Sequence, residues 1–434
     1  MTDSAQSWGL LGPDGLASVR RVRTLDVGAA VRQFNELAVP GMGSIWTGRQ
    51  LLWPLLGVAA ASRARNSMHV SNIEAANAVE ALACRIALAS NDWQRDPRIR
   101  GAQKLRGTEN LTFQAMRRPG FYVTQPMRMS AVQPLLALGL VESESERFNA
   151  YRLSEAGQAF LDTACDPYPD CWYSHGVVST IANWMTGSPS KVVHFQRLGE
   201  AITPLAPLPV LAEQTLRERL AGRSDANSMR RRAALVWVRR CQDTRRPIDE
   251  MDGSAPTELS ASHWADLRAG ARFFRARNAA IGVLDACERA MGPAGVSLSL
   301  DKLLPETARD ALDVARAAAH AFLELAEGGS YHSSGLKFCR ELSGHEHRVV
   351  LKQLVGRDGR VLRMSGNEIV PGMAFDGGPP SEEVEAQDGD EATADFAPRI
   401  RLPAGVSFRI RNLLLLDLDL QAKLGGWFAM ESPT

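Results

Sequence analysis

The chain has 434 residues, 45% hydrophobic and 23% charged, an ordinary globular composition that excludes a wholly disordered or fibrous protein. At roughly 150 residues per domain the length accommodates about two to four domains. No run of about eighteen apolar residues occurs, so no membrane-spanning helix or membrane partner is expected, and the six scattered cysteines read as reduced thiols rather than a disulfide framework.

The opening MTDSAQSWGLLG lacks the basic start and long apolar run of a signal peptide, which predicts a cytoplasmic protein. Residues 1–105 read as a helical domain. Ser71 and Glu74 have capping-box spacing, and Ile73, Ala76, Val79, Ala83 and Ile86 then fall on one helix face. The preceding Pro40–Trp53 is glycine-punctuated and then apolar, which predicts a buried turn into a helix. It contains no G-x-x-x-x-G-K-[ST], so it implies no phosphate cradle.

Residues 106–165 carry the most specific pattern. Leu135-Leu136-Ala137-Leu138 ends a helix at Gly139, whose missing side chain permits a left-handed cap. Leu140-Val141-Glu142 reads as a strand, Ser143–Asn149 as a polar tip, and Ala150–Leu153 as the returning strand. Ser154 then caps a helix running through Gly157 to Phe160 and Leu161. The stretch from about residue 108 to 165 resembles the winged helix-turn-helix superfamily, in which L-x-x-L-G-L-V-E … Y-x-L-S/T-x-x-G recurs. In that family the helix before the wing enters the major groove of duplex DNA. The resemblance implies base contacts by Arg128, Ser130 and Gln133, and wing contacts by Arg147 and Asn149 to phosphates or a minor groove. Pro134 lies within the expected recognition helix, where a missing amide and a ring clash cost about 3 kcal/mol, so a kink or a late start is expected. The tip Glu142–Glu146 is acidic, and winged helices also serve as protein–protein modules.

Residues 166–215, with Pro204, Pro207 and Pro209 close together, predict a connector. Residues 216–330 predict a helical domain, in which Ser262–Met291 sets Trp264, Leu267, Ala271, Phe274, Ile281 and Leu284 along an apolar stripe. Pro305 suits the first turn of the next helix and Gly328-Gly329 its end. In the last region, 331–434, Val349–Val355 and Arg360–Met364 predict a hairpin turning at Gly356–Gly359. Phe375–Ala397 is poor in apolar residues and predicts disorder, and Val406–Leu416 predicts a strand or a buried helix.

A formal net charge of +1 hides a polarised chain: Arg217–Arg246 holds ten arginines against three acids, and Ser381–Asp395 holds seven acids and no base. Only six of the fifty basic residues are lysine, a bias that a GC-rich genome also produces. Arg230, Arg231 and Arg232, with Arg239 and Arg240, bracket Leu235-Val236-Trp237-Val238, a basic-aromatic mixture that suits phosphate. Arg268, Arg272 and Arg275 recur at i, i+4, i+7 and suit either phosphate or a solvated face.

Two clusters carry metal-type donors. Cys165, Cys171 and His175 are three at an unusual spacing, whereas a structural zinc takes four. His332, Cys339, His345 and His347 are four, but the last two alternate, which on a strand sends them to opposite faces. The expectation is no metal and no cofactor. No H-E-x-x-H, G-x-S-x-G, E-x-K or H-x-K signature occurs, which favours a non-enzymatic role. The expected fold is mainly α (α+β), with helical domains around a central winged helix-turn-helix and a small β-containing C-terminal region. The expected function is a non-catalytic nucleic-acid-binding component of a bacterial multiprotein system, in phage defence or DNA transactions. Its expected partners are duplex DNA and other protein subunits of that system. The alternatives are an interaction scaffold whose winged helix binds a partner protein, and a nuclease or metal enzyme using the C-terminal His/Cys cluster.

Overall fold

The computed structural model of the protein describes residues 23–94, 96–171, 175–187, 195–222, 224–243, 253–326, 328–377 and 402–431. Among them the chain is mainly helical with two small antiparallel sheets, and no described helix is long and apolar enough to cross a membrane. Helix α1 (Gly28–Ala38) buries Ala30, Phe34 and Ala38 along one face. Helix α2 (Arg49–Ala64) is buried over most of its length and crosses α3 (Asn72–Ser90) closely. A Cβ on Gly57 would sit 2.5 Å from the Ala76 Cα, so the crossing requires glycine. The capping box starts α3 as its spacing predicts: Ser71 Oγ accepts from the Glu74 amide at 3.2 Å, and the Ser71 amide donates to the Glu74 carboxylate at 2.9 Å.

Helix α4 (Arg128–Ala137) leads through Gly139, at φ 65°, into strand β1 (Val141–Glu142). Strand β2 (Arg152–Leu153) pairs antiparallel with β1, and α5 (Glu155–Cys165) follows. Ser154 Oγ accepts from the Gly157 amide at 3.0 Å and donates to the Gly139 carbonyl at 2.7 Å, fastening α5 to both ends of the hairpin. A side chain at 157 has no room, because its Cβ would lie 1.9 Å from the Leu140 carbonyl oxygen.

The stretch 166–215 is more than a connector. It holds α6 (Val177–Met185), α7 (Phe195–Ile202) and the start of α8 (Val210–Ala221). Val177, Ile181, Trp184 and Met185 are buried, α6 packs on α2, and the Trp184 indole donates to the Leu111 carbonyl at 2.9 Å. The prolines that suggest a bare linker lie between α7 and α8. Helix α9 (Ala226–Asp243) follows, and then α10 (Ala261–Met291), which spans two cores. Its Trp264, Leu267 and Ala271 join the core built on α2 and α3, whereas Phe273, Val283 and Leu284 join a second one.

The second core is centred on Phe34, whose ring lies 5.0 Å from Phe273 and 5.9 Å from Phe322. Strand β3 (Leu298–Ser299), α11 (Glu306–Ala326), α12 (Ser333–Leu342), α13 (His347–Asp358), β4 (Leu362–Ser365) and β5 (Glu368–Pro371) surround it. The three strands form an antiparallel sheet in the order β3-β5-β4. The hairpin expected between Val349–Val355 and Arg360–Met364 is therefore displaced. Val349–Val355 is helical, burying Val350, Leu351, Leu354 and Val355, a helix-face spacing that their β-branched members disguise. The real hairpin turns at Gly366-Asn367. Of the two readings of Val406–Leu416, the buried helix is the one found: α14 (Phe408–Asp419) returns to the first core against α9 and α1, and α15 (Leu424–Glu431) ends the chain's described part. From residue 378 onward the run expected to be disordered, including the acids 381–395, lies outside the described residues.

Candidate nucleic-acid interface

The helix expected to read DNA is enclosed by its own fold. Glu80, fully buried on α3, accepts from the Met127 amide at 2.6 Å and the Arg128 amide at 2.9 Å, and also from the Tyr122 hydroxyl. The first amides of α4, which a groove-reading helix turns toward its ligand, are thus closed by a carboxylate. Burial pushes the Glu80 carboxyl above its ordinary range, against the pull of those three donors. Arg128 donates from Nε to Asn77 at 2.8 Å, and its guanidinium lies 5.2 Å from the Phe148 ring centre. Ser130 is buried against the Ser44 hydroxyl at 2.7 Å, and exposed Gln133 accepts from Arg409 at 3.2 Å. Pro134 withholds an amide from the Ser130 carbonyl, and Gly43 packs there so tightly that a Cβ would come within 2.4 Å of that oxygen. At the hairpin tip Asn149 accepts from the Ile73 amide at 3.0 Å, while Arg147 stays exposed.

The arginine-rich α9 is likewise turned inward. Arg230 donates to Asp266 at 2.8 Å and to the Leu37 carbonyl at 3.2 Å. Arg231 is 4% exposed and donates to the Pro40 carbonyl at 3.1 Å and to Ser228 at 2.7 Å. Arg239 grips Asp417 with two nitrogens, and Arg240 donates to Glu258 at 2.6 Å. Arg232 is exposed without an ion-pair partner among the described residues. The run therefore fastens α9 to α1, α10 and α14 rather than forming one basic face. Arg268, Arg272 and Arg275 are also engaged, the last donating to the Ala404 carbonyl at 3.1 Å.

The C-terminal donor cluster does not converge. His332 caps α12, its Nδ1 accepting from the Ser334 amide at 3.1 Å, while Cys339 is fully buried in the second core. His347 faces Asp313 at 3.1 Å, and His345 is exposed. Burial pushes the Cys165 thiol up to about 12 and the Cys171 thiol up to about 11. Among the described residues no group of three or more His, Cys, Asp or Glu side chains is placed to hold a metal ion.

The fold does assemble a basic groove that sequence spacing hides. It lies between the end of α2, β2, α5 and the start of α6, with a volume of about 690 Å³. Arg63, Arg65 and Arg152 contribute its positive charge, and all three are exposed. Val58, Ala59, Leu153, Val177 and Val178 supply an apolar lining, and Asp162, held by Gln158 at 2.7 Å, is the one lining acid among the described residues. Gly176 precedes α6 without a side-chain cap, and Arg63 donates to Ser179 in the first turn at 2.5 Å. Arg65 is anchored to Asn72 at the start of α3. A second depression of about 430 Å³, beside Glu142 and Glu144 of the hairpin, shares the lining residues Arg65, Tyr151 and Arg152 with the first. Arg152 alone was within sequence reach, as the outward neighbour of buried Tyr151 on the returning strand; Arg63 and Arg65 join it only through the packing of α2. Comparison of the chain with protein-family models, with curated proteins and with solved structures finds no match.

Proposed function

We propose that the protein is a non-catalytic nucleic-acid-binding component of a multiprotein system, built around a winged-helix-like unit at about residues 108–165. The observation that carries this reading is the groove beside the hairpin, which Arg63, Arg65 and Arg152 line together with apolar side chains. Guanidinium groups pair with phosphate through two parallel hydrogen bonds, and an uncapped helix start adds favourable partial charge. The contact surface is thus the trailing side of the hairpin, not the expected recognition helix. No observation favours the nuclease or metal-enzyme reading.

The test is binding of mixed-sequence nucleic acid, single- and double-stranded, by the full chain at about 50 mM salt, where phosphate contacts are strongest. Affinity should fall as salt rises and should fall again in Arg63→Ala/Arg152→Ala, but not in Arg232→Ala, which lies on a different helix. A second reading, an interaction scaffold, is favoured by exposed Glu142, Glu144 and Glu146, because this acidic tip repels phosphate. If neither nucleic acid form binds at low salt, the groove belongs to a protein partner.

A further inference from the structure

The groove asks two things of an occupant at once: negative charge beside Arg63, Arg65 and Arg152, and an apolar surface against Ala59, Leu153 and Val178. A duplex turns its phosphates outward but keeps its bases stacked inside, beyond reach of that lining. Reading a duplex from its major groove also needs an element that protrudes into a cleft about 12 Å wide. Helix α4 does not protrude, since Glu80 closes its start, Ser130 and Pro134 are buried, and Arg409 holds Gln133. A single strand, by contrast, exposes phosphates and bare base faces along the same stretch of backbone.

Resting on the nucleic-acid reading above, we infer that the groove binds single-stranded nucleic acid, with phosphates at Arg63 and Arg152 and bases against the aliphatic lining. Glu142 and Glu144, which line the neighbouring depression, repel further phosphates, so the footprint is short and the salt dependence shallow. Among the described residues no aromatic ring lies exposed in the lining, and aliphatic contacts do not read base identity, so binding is indifferent to sequence.

The experiment is fluorescence anisotropy on the full chain with labelled oligothymidine and oligouridine of about twelve nucleotides, within the usual single-strand site sizes, and a duplex of equal length. The two single strands distinguish DNA from RNA as the source. Single strands should bind at least about tenfold more tightly than duplex at about 50 mM salt, and each arginine replaced should reduce the salt slope by about 0.7. Arg152→Ala is the primary variant, since Arg152 is exposed and has no side-chain partner among the described residues, and an unchanged melting temperature verifies its fold. Duplex binding equal to or tighter than single-strand binding overturns the single-strand inference and leaves the nucleic-acid reading standing, whereas an unchanged slope in Arg63→Ala/Arg152→Ala removes the groove as the contact surface and overturns both. Absence of binding to all three probes overturns both.

Discussion

Asp419, at the end of α14, is 9% exposed and accepts from the Gly48 amide at 2.8 Å, tying the last long helix to the start of α2. Burial pushes its carboxyl up to about 6, although that amide and the charges of Arg49 and Arg98 pull it down. Because the folded value lies above the unfolded one, the protonated form favours folding. Its contribution is fully present below about pH 4 and is lost as pH rises through about 6, an effect on the order of 3 kcal/mol. Asp419→Asn keeps an oxygen for the Gly48 amide without a charge to bury. Its melting temperature should match the wild type near pH 4 and exceed it increasingly toward pH 7. A difference independent of pH would mean that Asp419 does not titrate in this window. At the same scale, Arg231 and Arg232 are adjacent but unlike. Arg231→Ala orphans the Pro40 carbonyl and should cost about 1–3 kcal/mol, whereas Arg232→Ala should stay within about 0.5 kcal/mol. Denaturant unfolding of both variants checks the contrast, and equal effects would refute the inward placement of Arg231.

Among the elements, the α2–α3 crossing sets the frame on which the groove is built, because Arg63 and Arg65 leave the end of α2 and Arg65 is pinned to the start of α3. Helix propensity alone favours Gly57→Ala by about 1 kcal/mol. The Ala76 backbone stands in the way, and overpacking of this kind costs about 1–3 kcal/mol. Gly57→Ala should therefore lower stability in thermal unfolding, and a rise of about 1 kcal/mol would show that the helices are farther apart than described. This crossing also marks what sequence reading could and could not reach. The capping box at Ser71, the glycine stop at Gly139 and the Ser154 cap are local devices, complete within four or five residues, and each is found where its pattern predicts. Val350–Val355 misleads because β-branched residues can fill a helix face once tertiary packing favours it. The arginines mislead for another reason: charge is written in the sequence but its partner is not. Arg230 meets Asp266 36 residues away and Arg239 meets Asp417 178 residues away, so a run that looks like a phosphate-binding face is spent on ion pairs within the fold. The groove was illegible for the converse reason, since its arginines come from helices and strands that only the fold brings side by side.

At the scale of the whole molecule the two cores share their helices rather than a flexible joint. Helix α1 places Ala30, Val31 and Phe34 in the second core and Ala38 in the first, and the 31 residues of α10 divide in the same way. A helix that crosses both cores cannot lose its packing in one without exposing apolar surface in the other, so the two should unfold together. The sequence supplies its own reporter for this. Among the described residues the second core holds no tryptophan, while Trp53, Trp184, Trp237 and Trp264 all lie in the first. Indole fluorescence therefore follows the first core, and far-ultraviolet circular dichroism follows the helices of both. In equilibrium urea unfolding the two signals should give coincident midpoints and slopes. A dichroism transition that splits, with one part preceding or following the fluorescence change, would show that the cores are thermodynamically separate. The groove, built entirely on the first core, would then be expected to keep its ligand through melting of the second, and binding measured at an intermediate urea concentration would follow fluorescence rather than dichroism. Under the coupled arrangement argued here, binding and both spectroscopic signals are lost in one step.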